Sequence, residues 1–406
     1  MKAVVFRGIG DVRVEDVPEP KIEKPTDVVV RLTASAICGT DLHFVRGTVP
    51  GMKPGTIVGH EGVGVVEEKG RDVRNLDVGD RVVIPSTVGC GSCSYCRAGY
   101  YAQCDRANPQ GPRAGTCFFG GPEESGPLPG LQAERARVPF GHVNLVKIPD
   151  EVSDDQAILL SDIFPTGWFG ADMADIHPGH TVAVFGCGPV GQLAIASARL
   201  RNAGRVIAID CIESRLALAR QQGAEVIDFQ KEDPIAVLLE LTENIGADRV
   251  IDAVGVDANL PSRGPAAAKN DERKQEQAEL AQIAPHTHPR GDNWHPGDGP
   301  SQALRWAVEG LAKAGTLSII GVYPGSDRFF PIGKAMGKNL RVHAGNCNHR
   351  RYIPELMEIV RSGRFDPTTI LTQHEPLSSA IEAYQAFDRR MPGWVKVKLE
   401  PGKLAA

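Results

Sequence analysis

Between Thr181 and Asp210 the sequence leaves few folds open. Thr181-Val182-Ala183-Val184-Phe185 is a continuous apolar run, suited to a strand buried on both faces. It leads into Gly186-Cys187-Gly188-Pro189-Val190-Gly191 and then into a good helix former, Gln192 to Arg199. A second apolar run, Arg205 to Ile209, follows and ends on Asp210. A G-x-G-x-x-G alone is weak. Set between a strand and a helix, with an acid nineteen residues past its last glycine, it marks a dinucleotide-binding unit. The loop Gly186, Gly188, Pro189, Val190, Gly191 brings backbone close to a pyrophosphate at a helix N-terminus, and Asp210 accepts from the ribose hydroxyls. Asp210 would repel a 2′-phosphate and the next residue, Cys211, carries no positive charge, so NAD is favoured over NADP. Strand-like runs at Ala224–Asp228, Arg249–Gly255 and Gly315–Gly321 continue the alternation of a doubly wound parallel sheet in an α/β fold.

Cysteine is the second constraint. Of nine cysteines, Cys90, Cys93, Cys96 and Cys104 fall within one short stretch, spaced C-x2-C-x2-C-x7-C. Redox-active pairs are one reading of C-x-x-C; four thiolates closing a tetrahedral zinc with no open position match the array better, as a structural site. A different pattern stands earlier. Cys38-Gly39-Thr40-Asp41 and Gly59-His60-Glu61-Gly62 bracket a short loop with a thiolate and an imidazole. Catalytic zinc takes three protein ligands and keeps a fourth position for water or substrate, so a third ligand must come from elsewhere.

The N-terminal part is rich in Val, Ile and Thr with Gly and Pro punctuation, as a β-rich domain with long loops requires. Residues 108–131 are loop-like. Residues 150–172 have helical character and carry Asp162 isolated among apolar neighbours, a costly place for a carboxylate without a partner. Residues 257–301 are polar and rich in Pro and Gly, an excursion that is either functional or loosely ordered, with a short exposed helix at Lys269–Leu280. His286, His288 and His295 within it are scattered surface histidines or a further metal site. Ile353–Ser362 has helical periodicity and Trp394–Leu399 reads as a terminal strand. That C-terminal segment is too short to fold alone and is expected to pack back on the N-terminal domain, making the dinucleotide unit an insertion.

The length suggests two or three domains at about 100–200 residues each. A formal net charge of −5 offers no broad basic field, which argues against nucleic acid. Apolar runs fall short of the roughly 18 residues of a membrane span, and the N-terminus has no signal-peptide core, so a cytoplasmic protein without membrane partners is expected.

Together Cys38-Gly39-Thr40-Asp41, Gly59-His60-Glu61-Gly62, the four-cysteine lobe and the Gly186–Gly191 loop resemble the zinc-dependent medium-chain alcohol dehydrogenases, over nearly the whole chain apart from 257–301. The resemblance implies a GroES-like catalytic domain at 1–163 and 339–406, with a zinc lobe at about 86–110. It implies a Rossmann NAD-binding domain at 164–338 that contains the insert. It places Asp162 as the third ligand beside Cys38 and His60. Asp there, in Ser-Asp-Ile-Phe-Pro-Thr-Gly, is similar to the glutathione-independent formaldehyde dehydrogenases and dismutases, whose own shorter insert covers the adenosine end of NAD. By the same resemblance Glu61 is a transient ligand or a charge-balancing neighbour, and Asp41 orients His60. Thr40 passes a proton toward His43 near solvent, Thr166 contacts the nicotinamide side and Arg215 the adenosine ribose. Two zinc ions per chain, NAD, a small alcohol or aldehyde substrate and a homodimer or homotetramer follow as expectations. The activity implied is NAD-linked alcohol or aldehyde dehydrogenation; aldehyde dismutation with tightly held NAD and a non-enzymatic NAD-binding protein are the alternatives.

Overall fold

The computed structural model describes residues 1–402. Within them, seven strands come before residue 166: β1 (Lys2–Gly8), β2 (Asp11–Asp16), β3 (Val28–Ile37), β4 (Gly62–Lys69), β5 (Arg81–Ile84), β6 (Arg135–Val138) and β7 (Val146–Lys147). Six follow: β8 (Thr181–Phe185), β9 (Arg205–Asp210), β10 (Glu225–Asp228), β11 (Ala247–Asp252), β12 (Leu311–Ile319) and β13 (Arg341–Ala344). β14 (Leu371–Pro376) and β15 (Lys396–Glu400) close the series. The chain divides into two compact units. The first comprises Met1–Pro165, His286–Trp294 and the residues from Cys347 onward; the second comprises Thr166–Pro285 and His295–Asn346.

In the first unit the strands run β14-β15-β3-β4-β5-β7, with β6 also paired to β3. β3 is the hub because Val28, Val30, Leu32, Ala34 and Ala36 are buried and its long run accepts three partners. β15 pairs antiparallel with β3, so the C-terminal strand lies against the N-terminal sheet. Residues 150–172 form two helices rather than one. Asp154–Ser161 starts on a capping box in which Ser153 Oγ accepts from the Gln156 N–H at 3.2 Å, and Ile163–Met173 follows. Asp162 is the break between them, with φ −140° and ψ −68°.

In the second unit every strand pair is parallel and the order is β10-β9-β8-β11-β12-β13, the doubly wound pattern with its switch point between β8 and β11. β13 is the sixth strand of this sheet, so the return to the first unit comes at Cys347 and not at 339. The insert divides between the two units, and only residues 286–294 depart from the expected placement. Its helix Asn270–Ile283 belongs to the second unit, where the buried Glu276 carboxylate accepts from the Ser301 N–H (3.1 Å) and hydroxyl (3.0 Å) and pairs with Arg305. Residues 286–294 belong to the first unit. There Asp388, fully buried with Arg46, accepts from Arg46 Nε at 2.8 Å, Asn293 Nδ2 at 3.0 Å and the Trp294 N–H at 2.7 Å, and Trp294 joins the apolar core around Phe6, Leu42 and Tyr384. No helix among the described residues is long and apolar enough to cross a membrane.

Candidate functional site

Two groups of potential metal ligands stand out among the described residues, and both lie in the first unit. Cys38, His60 and Asp162 form one; Cys90, Cys93, Cys96 and Cys104 form the other, with ligand atoms inside each group no more than 4.8 Å apart. His286, His288 and His295 fall in neither.

Cys38 sits at the N-cap of the Gly39–Arg46 helix, directly after β3. His60 precedes β4 and is reached through Gly59, whose φ of +91° places backbone where a Cβ would lie 2.4 Å from the Gln132 side chain. Asp162 enters from the helix break. Its Oδ2 lies 3.3 Å from His60 Nε2 and 3.5 Å from Cys38 Sγ. Burial pushes the Cys38 thiol up, so a cation is what would make a thiolate tenable there. Burial also works against the Asp162 carboxylate, but His349 and His60 hold it well below the usual carboxylate range. One sulfur, one nitrogen and one carboxylate oxygen, all buried and converging, fit zinc with a fourth position left open.

The surroundings hold these donors in place. Asp41 Oδ1 is 3.2 Å from His60 Nδ1, while Asp41 Oδ2 accepts from the Cys38 N–H (2.9 Å) and Gln132 Nε2 (3.1 Å). Gln132 Oε1 in turn accepts from Tyr384 at 2.8 Å, so the Asp41 carboxylate beside the imidazole is held by a buried chain reaching the C-terminal part of the unit. Phe118, from the loop 108–131, stands edge-on to His60 with centroids 6.2 Å apart, which gives that loop a place beside the site.

The remaining residues of the sequence reading take the following places. Glu61 is outside the converging set: its carboxylate is paired with Lys396 of β15, both side chains being inaccessible to solvent, and Lys396 Nζ also donates to the Ile37 carbonyl at 3.0 Å. Burial opposes the Lys396 charge, but Glu61, with Cys38 and Asp162 nearby, outweighs it and raises the ammonium pKa. His43, expected near solvent, is 3% exposed, with Nδ1 2.7 Å from Thr48 Oγ1. The helix ends at the left-handed Gly47, and the turn folds Thr48 back onto His43. Thr40 is half-buried, its hydroxyl 3.9 Å from Cys38 Sγ. No sequence pattern singles out His349 or Thr87. His349 Nε2 is 2.6 Å from Asp162 Oδ1 and its Nδ1 is 3.0 Å from Thr87 Oγ1.

In the four-cysteine group, backbone N–H groups point at the sulfurs. Ser92 and Cys93 donate to Cys90 Sγ at 3.4 Å each, Cys96 to Cys93 Sγ at 3.5 Å, and Cys90 and Arg106 to Cys104 Sγ at 3.2 and 3.4 Å. Such a cradle stabilises thiolates, which suits a closed tetrahedral zinc.

In the second unit, Gly186 follows β8 at φ +87°, and a Cβ on Gly191 would stand 1.9 Å from the Gly186 carbonyl oxygen. Only glycine fits there. Pro189 opens the Pro189–Leu200 helix, and Val190 lies in its first turn. Asp210, at the end of β9, accepts from the N–H of Cys187 (2.7 Å), Cys211 (2.6 Å) and Ile212 (3.0 Å), so it also clamps the glycine loop to the next turn. The Arg215 guanidinium comes within 3.7 Å of where a Gly188 Cβ would stand, and Thr166 is half-buried near the start of its helix. This arrangement fits a dinucleotide pyrophosphate on the helix N-terminus.

Comparison with known proteins agrees with both units. The alcohol dehydrogenase GroES-like domain model matches residues 24–150, and the zinc-binding dehydrogenase model matches residues 189–269. The chain is 37% identical over 404 residues to an uncharacterized zinc-type alcohol dehydrogenase-like protein, AdhB, of Bacillus subtilis, covering 99% of this chain and 100% of that one. It is 34% identical over 410 residues to a glutathione-independent formaldehyde dehydrogenase of Pseudomonas aeruginosa, covering 96% of each. Among solved structures, the alcohol dehydrogenase TADH from Thermus sp. ATN1 superposes with a TM-score of 0.79 at 33% identity, covering 98% of this chain and 99% of that one.

Proposed function

Because the chain belongs to the zinc-dependent medium-chain alcohol dehydrogenase family and is an oxidoreductase of that kind, we propose that it moves a hydride between a small alcohol or hydrated aldehyde and NAD, with two zinc ions per chain. The observation that carries this reading is the buried convergence of Cys38, His60 and Asp162 in a chain that also has a complete nucleotide loop.

In this reading Cys38, His60 and Asp162 hold the catalytic zinc, and Cys90, Cys93, Cys96 and Cys104 hold the structural one. Bound zinc supplies a Lewis acid that brings the pKa of a substrate hydroxyl toward neutrality. The remaining tasks fall to the chain itself. Asp41 keeps the His60 ring in one orientation. Thr40 takes the substrate proton, with His43, which is buried, as the next residue of the path. The Gly186–Gly191 backbone seats the pyrophosphate, Asp210 accepts from the adenosine ribose, Arg215 lies on the same side and Thr166 meets the nicotinamide end. Likeness to the formaldehyde dehydrogenase of P. aeruginosa favours an aldehyde among the substrates. Exposed Ile332, Met336 and Val342, the last on the edge strand β13, support a homodimer or homotetramer.

A panel of small alcohols and aldehydes, each with and without added NAD, tests the reading. NADH formation from at least one of them is the expected result. Aldehyde consumption without added cofactor, with NAD recovered from the purified protein, would replace dehydrogenation by dismutation. No turnover with both zinc sites filled would leave an NAD-binding protein on the same fold.

Cofactor choice has its own test. Asp210→Gly removes both the carboxylate facing the ribose and the clamp on Cys187, Cys211 and Ile212, so KM should rise for either cofactor while the ratio of kcat/KM for NADP over NAD increases about tenfold or more, the equivalent of about 1.4 kcal/mol. An unchanged ratio would deny Asp210 its ribose role.

A further inference from the structure

Asp162 offers the metal only one of its two oxygens. The other, Oδ1, is 2.6 Å from His349 Nε2, and against a carboxylate that nitrogen must carry the hydrogen and donate it. His349 is itself fixed from behind. Its Nδ1 is 3.0 Å from Thr87 Oγ1, and Thr87 Oγ1 lies 3.1 Å from the Cys347 carbonyl, two residues before the histidine. The backbone there is anchored as well: Asn348 Oδ1 accepts from the Ala102 N–H at 3.0 Å. His349 and Thr87 are 3% and 5% exposed, so no water competes for these contacts from the surface.

A carboxylate ligand has two equivalent oxygens, so it can bind through one or both and can rotate between them. Asp162 needs a restraint on that freedom that a cysteine would not. Resting on the zinc assignment above, we propose that His349 is a positioning residue for the catalytic metal: it occupies Oδ1 of Asp162, directs Oδ2 toward Cys38 and His60, and thereby keeps the fourth zinc position free for substrate. Partners behind metal ligands typically contribute about 10–100-fold in metal affinity.

The test uses the whole protein loaded with zinc and dialysed against a graded chelator, counting zinc per chain. The four-cysteine zinc reports a folded first unit. His349→Met fills the same space without a donor and should release the catalytic zinc at about 10–100-fold lower chelator concentration, while the four-cysteine zinc is unchanged. His349→Gln keeps an N–H in reach of Asp162 and should recover most of that loss. If His349→Met fails to retain the four-cysteine zinc, His349→Asn, too short to reach Asp162, takes its place in the comparison with Gln. Equal retention in donor and non-donor variants, or equal loss in both, overturns the proposal. Asp162→Ala separates the two levels: if that variant keeps both zinc ions, the ligand assignment itself is wrong, whereas loss in Asp162→Ala with none in His349→Met removes only the role of His349.

Discussion

Asp162→Ala should leave one zinc per chain where two are expected in the parent protein, and turnover should fall by more than about 10²-fold. The lower bound comes from comparison: groups that merely support a ligand contribute about 10–100-fold, and a direct ligand should exceed them. The remaining donors, Cys38 and His60, cannot hold a three-ligand open site alone. The fold should survive. Asp162 lies in the break between two helices, and its neighbours Leu159, Leu160, Ile163 and Phe164 are wholly buried and supply apolar packing that does not depend on its carboxylate. Metal analysis and circular dichroism on one preparation read both parts. Two zinc ions with normal turnover would mean that another residue is the ligand.

Lys396→Met should cost about 3–5 kcal/mol of stability, the usual consequence of leaving one member of a fully buried ion pair uncompensated. Neither side chain reaches solvent, so Glu61 cannot recover its loss by hydration, and the Ile37 carbonyl loses its donor too. The position matters because Glu61 is adjacent to His60 and Lys396 lies on the strand that closes the sheet against β3. Adding Glu61→Gln to Lys396→Met should restore a large part of the loss, since the orphaned charge is then gone. Denaturant midpoints of the two variants decide the matter; a single variant within about 1 kcal/mol of the parent would show that the pair is not essential to this unit.

What could be read from the chain before its structure was what local rules encode. The glycine loop was legible because only glycine tolerates the carbonyl contact at Gly191, and the cysteine array because its spacing repeats at short range. Contacts between distant residues were not. Lys396 read as one lysine in an alternating terminal strand, and nothing in Trp394–Leu399 says that Glu61 waits 335 residues away. His349 was missed for a related reason. It starts the His349–Arg361 helix, but its first turn, His-Arg-Arg-Tyr, is polar and Pro354 interrupts the pattern, so periodicity becomes visible only from Ile353. The family resemblance puts His43 near solvent, whereas the turn at Gly47 folds Thr48 over it. The boundary at 339 was early because Arg341–Ala344 is exposed and lacks the apolar run that announced β8 and β9.

The insert bears on how the protein can be trimmed or traced through descent. A loop that merely decorates a domain can be shortened or exchanged between relatives as a cassette. Residues 286–294 do not have that independence, because Asn293 and Trp294 supply two of the donors that solvate Asp388, and Asp388 neutralises Arg46 at the far end of the helix that begins beside Cys38. Removing residues 286–294 would uncover a buried charge pair and open the core under Trp294, so the segment cannot be lost without a compensating change at Arg46 and Asp388. The polar, Pro- and Gly-rich stretch therefore contains a segment whose deletion would need compensating changes elsewhere in the chain.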